Sequence, residues 1–416
     1  VTTVDMAARW PVRAINSLGV PLTALGAVPS LDAGWLRESA SRVTGIDWVE
    51  DAYLDEALDV LTASLRAEAD LSFMGRKMVQ VRLRRMLATR LRLGRLLQSH
   101  PEIAARPVPP PVVIVGLQRT GTTLLHRLLA ADPAAGSMRS WEGAHPLPDP
   151  NQVPGRPDAR VALAAKEERV LRYLQPQFFA IHAAEAAAPE EDVLLLDYSL
   201  HSQMAEVMFH VPTYGRWLTG EDMTAAYALH RLLLQVLDWQ KPRGRWVLKS
   251  PAHLEHLDVL LRTFPCAVVV WAHRDPAQTT ASSSSMLAHY QALFSARVDH
   301  QRLARYWLAK NAAMIERAMT VRRTATATFV DVYYRDLLAD PIGVVEAIYR
   351  AEGRAVTPAA RQAMAAALDE QPQNRHGTHE YSLEQFGLSV AQVDDAYHRY
   401  AAHFAVGHEP GGVRAT

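Results

Sequence analysis

The chain has 416 residues, 49% of them hydrophobic and 21% charged, and its 44 basic and 44 acidic residues leave no formal net charge. That length holds one large elaborated domain or two smaller ones, and the balanced charge offers no electrostatic footprint for nucleic acid. A single cysteine, Cys266, excludes an intrachain disulfide; it fits a reducing cytoplasm and, beside an apolar run, is expected to be a buried thiol.

The first ten residues carry no basic stretch followed by an apolar one, and no apolar run reaches the roughly 18 residues of a membrane span. A cytoplasmic protein with at most peripheral membrane contact is expected. Residues 1–108 read as a helical N-terminal extension packed on the core: Leu31–Ser41, Asp51–Ala69 and Gly75–His100 repeat apolar residues at three- and four-residue spacing. The proline cluster from Arg106 to Pro111 ends that pattern, and the β-branched run Val112–Val115 that follows reads as a buried strand.

Residues 109–416 form the second expected unit, interrupted by a mostly helical insertion at about 155–241 that includes Val161–Leu171 and Thr224–Trp239. Further strands are expected at Arg245–Leu248, Ala267–Trp271 and Thr328–Val332, with a helix at His253–Phe264 between the first two. Strands alternating with helices imply an α/β fold: a P-loop-like central parallel sheet flanked by helices.

Residues 112–129 read as strand, glycine-bounded loop and helix. Gly116 and Gly121 permit a tight turn that lets the amides of Arg119–Thr123 converge on an anion at the helix start. The spacing is that of a P-loop, yet Thr122 stands where a nucleotide triphosphatase has lysine. Arg119 supplies a cation from inside the loop, and Thr122 and Thr123 supply hydroxyls. Taken alone, this leaves open a P-loop kinase or NTPase, or a non-catalytic nucleotide-binding protein.

The run Gln118, Arg119, Thr120, Gly121, Thr122, Thr123, Leu124 resembles the 5′-phosphosulfate loop of sulfotransferases that use 3′-phosphoadenosine 5′-phosphosulfate, in a bacterial branch related to the protein-tyrosine and cytosolic enzymes. A sulfuryl group carries less negative charge than a phosphoryl group, in keeping with the missing lysine and with no metal being required. Arg274 in His273–Pro276, with Ser282 eight residues on, is similar to that family's 3′-phosphate clamp. Tyr334 matches its tyrosine near the adenine, and Arg375, His376 and Gly377 match its closing C-terminal loop. The resemblance spans about residues 109–400.

Lys249 is one of only five lysines and ends a strand at the edge where α/β enzymes hold ligands; the resemblance gives it a role beside the leaving phosphate. Three groups compete to be the base that takes the acceptor's proton. Glu142 resembles the glutamate of tyrosine-type sulfotransferases, His253 follows Lys249 by four residues, and Glu190 belongs to an acidic stretch similar to one in the bacterial branch. Histidine spacing gives only His253 with His256 and His376 with His379 as metal-like pairs, so no zinc site is expected. The expected acceptor is a hydroxyl-bearing small molecule or lipid, held by the helical segments.

Overall fold

The computed structural model describes residues 10–153, 155–174, 185–370 and 382–409. Its centre is a five-stranded sheet in the order β2-β3-β1-β4-β5, with β1 at Val112–Gly116, β2 at Gly136–Ser137, β3 at Trp246–Lys249, β4 at Val268–His273 and β5 at Thr328–Tyr333. Every neighbouring pair is parallel. The α/β expectation holds: a parallel sheet needs crossovers, and the helices that supply them cover both faces.

Strand residues alternate between two cores, which is why the strands read as continuous apolar runs. Val113, Val115, Leu248, Val269 and Trp271 face one cluster, while Val112, Ile114, Val247 and Val270 face another with Leu125, Leu128 and Leu129. β1 lies between β3 and β4, with Ile114 level with Lys249 and Gly116 level with Ala272. The chain leaves β1 in one direction for β2 and β3 and later crosses to β4. The carboxyl ends of these strands therefore open on a switch-point crevice, the usual ligand position in such sheets.

The N-terminal helices are Trp10–Ala24, Ala33–Thr44, Ala52–Glu68 and Phe73–Ser99. Asp51 and Ser72 cap the last two by accepting from Leu54 N and Gly75 N. The 27-residue helix Phe73–Ser99 presses its first turn on the body of the molecule. A Cβ at Gly75 would stand 1.9 Å from the Phe294 carbonyl oxygen, so only glycine permits that approach. Ser72 N also donates to Phe294 O at 2.9 Å.

No helix among the described residues is long and apolar enough to cross a membrane. Cys266 departs from expectation: it is exposed, because it occupies the turn between the helix Leu257–Thr263 and β4 rather than the strand itself.

Candidate active site

The β1 backbone leaves the sheet at Gly116, and the helix Thr122–Ala131 starts after Gly121, whose φ of 87° lies in the left-handed region. A Cβ there would stand 2.9 Å from Tyr334 Cδ2, so glycine is needed both for the backbone turn and for the tyrosine packed on it. Arg119 also has a positive φ, 71°. Thr120 is buried and donates from Oγ1 to Leu117 O at 2.7 Å, bracing the loop from beneath. Leu124 packs on the sheet core instead of facing the crevice.

The second motif meets this loop directly. Arg274 donates from Nη1 to Arg119 O at 2.9 Å, and Arg119 Nε donates to Ser282 Oγ at 3.0 Å. Arg274 stacks 3.9 Å over the Tyr334 ring, and Asp275 caps the helix Pro276–Ala292 by accepting from Ala277 N. Arg119, Arg274, Ser282 and Tyr334, separated by up to 215 positions in the chain, thus form one cationic corner. Arg375, His376 and Gly377 lie outside the described residues.

Glu409 completes this corner. Arg274 Nε and Nη2 donate to its two carboxylate oxygens at 2.7 and 3.0 Å, and Glu409 N donates to Asp275 Oδ2 at 2.9 Å. Burial alone would lower the pKa of Arg274; Glu409 overrides it and holds the guanidinium above its ordinary value.

A cavity of ≈ 500 Å³ opens from the loop after β1. Gln118, Arg119, Thr122, Thr123, Arg274 and Tyr334 line one side, and Met204, Val207, Met208, Met286, Leu293 and Phe294 give the other an apolar wall. Glu190 and Glu191 also line it. Together with burial, these carboxylates push the phenol of Tyr290, another lining residue, well above its usual pKa and keep it neutral.

Of the four other groups expected at the reacting centre, the fold brings Glu190 to the cavity wall and Lys249 just behind it. Lys249 is buried, and its Nζ donates to Glu191 Oε1 at 2.6 Å. Glu191 is the residue the sequence reading passed over, although it stood beside Glu190 in the acidic run. Glu142 does not line the cavity. Its carboxylate accepts from Arg139 N at 2.8 Å and pairs with Arg243, so it is a buried cap for the short helix Ser140–Ala144. His253 is fully buried, also off the cavity, and lies 2.8 Å from Asp192.

The site joins the glycine-bounded loop after β1, the Arg274 and Ser282 side chains that meet it, and a lysine-carboxylate pair at one sheet edge. Residues 110–358 match the Sulfotransferase family. No curated protein sequence matches the chain. Among solved structures, it is similar to the sulfotransferase STF1 from Mycobacterium tuberculosis H37Rv at 34% identity and a TM-score of 0.73, over 88% of this chain and 98% of that one. It is also similar to the sulfotransferase STF9 from Mycobacterium avium at 27% identity and a TM-score of 0.83, over 91% of this chain and 98% of that one. With the fold in agreement with a match over more than half its length, the chain belongs to the sulfotransferase family and is a sulfotransferase.

Proposed function

We propose that the donor is 3′-phosphoadenosine 5′-phosphosulfate and that the acceptor is the hydroxyl of an apolar small molecule or lipid-like compound. The observation that carries this reading is the pair of contacts linking the two anion sites, Arg274 to Arg119 O and Arg119 to Ser282. A triphosphate needs one extended cradle; a donor with phosphates at both ends of its ribose needs two adjacent ones. In this reading the amides of Arg119–Thr123 hold the 5′-phosphosulfate, while Arg274 and Ser282 take the 3′-phosphate with help from the 375–377 segment. Tyr334 walls the nucleotide.

The acceptor oxygen then attacks sulfur in line as the bond from sulfur to the 5′-phosphate oxygen breaks, leaving adenosine 3′,5′-bisphosphate. The acceptor's proton passes to a carboxylate on the cavity wall, and Glu190 is the expected base because it lines the cavity, which Glu142 and His253 do not. Lys249 and Arg119 stabilise charge on the sulfuryl and leaving oxygens. The apolar wall of Met204, Met208, Met286 and Phe294 supports an apolar acceptor. Calorimetry tests the donor: adenosine 3′,5′-bisphosphate should bind without added metal and more tightly than ATP with Mg²⁺, and the opposite order would overturn the proposal.

A further inference from the structure

Behind β3, Asp192, His230 and His253 meet in a space closed to solvent, with exposures of 1, 0 and 0%. Asp192 Oδ2 lies 2.8 Å from Nε2 of each histidine. Its other oxygen, Oδ1, accepts from the backbone N–H of Lys249 at 2.8 Å. His253 Nδ1 lies 3.0 Å from the Tyr227 hydroxyl. With protons on both Nε2 atoms, the carboxylate receives three hydrogen bonds and Tyr227 donates to His253 Nδ1. Burial alone would raise the pKa of Asp192; His253 and His230 prevail and hold it well below the usual carboxylate range, so the group stays anionic.

So many polar groups are costly to bury, and apolar side chains would pack the same space at no such cost. Their arrangement has one consequence at the cavity. Glu190 and Glu191, immediately before Asp192, line the cavity wall, and Ser250 and Pro251, immediately after Lys249, line it too. Asp192 fastens these two stretches together through the Lys249 amide. On the cavity side of that bond, Lys249 Nζ grips Glu191. A buried, fully engaged carboxylate thus sits directly behind the groups that carry the charge of the reaction.

We propose that Asp192, held by His230 and His253, is a positioning residue for sulfuryl transfer that fixes the Glu190–Glu191 stretch against the end of β3 and sets the spacing between the Lys249 ammonium and the acceptor's base. The part concerning sulfuryl transfer rests on the function proposed above; the clamp itself does not. A divalent ion is the competing occupant, since the three ligand atoms lie within 4.8 Å of one another. A metal would require the Nε2 lone pairs and so move the His230 proton to Nδ1, which has no partner among the described residues. The hydrogen-bonded arrangement leaves only an acceptor unmatched there, instead of a buried N–H.

The test uses the full chain with Asp192→Ala, Asp192→Asn and His253→Gln. Hydrogen exchange over 186–196 and 246–254, donor turnover with water or 4-nitrophenol as acceptor, calorimetry with adenosine 3′,5′-bisphosphate, and the metal content of the purified protein are measured together. Asp192→Ala should speed exchange in both stretches by about tenfold or more and lower turnover by about 10²-fold through misplacement, with bisphosphate affinity unchanged. Asp192→Asn keeps an acceptor for the Lys249 amide and should recover most of both losses, and His253→Gln should move both in the same direction by less. If Asp192→Ala does not fold, the other two variants decide the matter. Unchanged exchange in all soluble variants, a loss of bisphosphate affinity equal to the loss of turnover, or a stoichiometric divalent ion in the wild type would overturn the proposal. Failure of the wild type to bind bisphosphate would remove the donor reading, while the exchange data would still decide the clamp.

Discussion

Glu409→Gln should make the protein bind adenosine 3′,5′-bisphosphate more tightly. Arg274 donates to both Glu409 carboxylate oxygens, at 2.7 and 3.0 Å, with 20 and 31% of the two side chains exposed. A 3′-phosphate that uses Arg274 must displace this carboxylate, and stacking on Tyr334 with a bond to Arg119 O leaves the guanidinium already oriented for it. A partly exposed ion pair of this kind contributes about 1 kcal/mol, which corresponds to about a fivefold fall in Kd when the competing charge is removed. Calorimetry with wild type and variant measures it, and adenosine 5′-monophosphate, which lacks the 3′-phosphate, serves as the control. The gain should shrink at high salt. An unchanged or weaker bisphosphate affinity, or an equal gain for the monophosphate, would refute the reasoning.

Gly121→Ala should lower stability by about 1–2 kcal/mol for the left-handed backbone alone, and further because its Cβ would stand 2.9 Å from Tyr334 Cδ2; an unchanged midpoint in urea denaturation would contradict this. Lys249→Ala should reduce turnover by about 10²–10³-fold while largely sparing bisphosphate affinity, as steady-state kinetics and calorimetry would reveal. Burial and then the nearby Lys249 push His126 down to about 3. The unfolded chain therefore takes up this proton first, near pH 6.5, and stability should decline as pH falls from there towards 3, by up to about 1.4 kcal/mol per pH unit. Urea denaturation at pH 7 and pH 5 should give a smaller difference for His126→Gln than for wild type.

The strands were legible because both faces of the sheet are buried: Val112–Gly116 and Val268–His273 needed no alternation to be recognised. β2 was not, since two residues, Gly136 and Ser137, are too few to form a pattern. The glycine-bounded loop after β1 and the Arg274–Ser282 segment stand out in the sequence because each is local, with glycine, arginine and hydroxyl residues at short fixed separations. Glu142 stands out for the same reason, by its position after the loop helix, but its pairing with Arg243, 101 positions away, leaves no local trace. The Asp192, His230 and His253 cluster and the Glu409 contact depend on residues brought together from distant segments, and spacing along the chain carries no trace of them.

The most direct test is a crystal structure with adenosine 3′,5′-bisphosphate bound. The 5′-phosphate should lie on the amides of Arg119–Thr123, and the 3′-phosphate should replace the Glu409 carboxylate on Arg274 within reach of Ser282. A nucleotide bound elsewhere, or one whose 3′-phosphate makes no contact with Arg274 while Glu409 remains paired, would contradict the account.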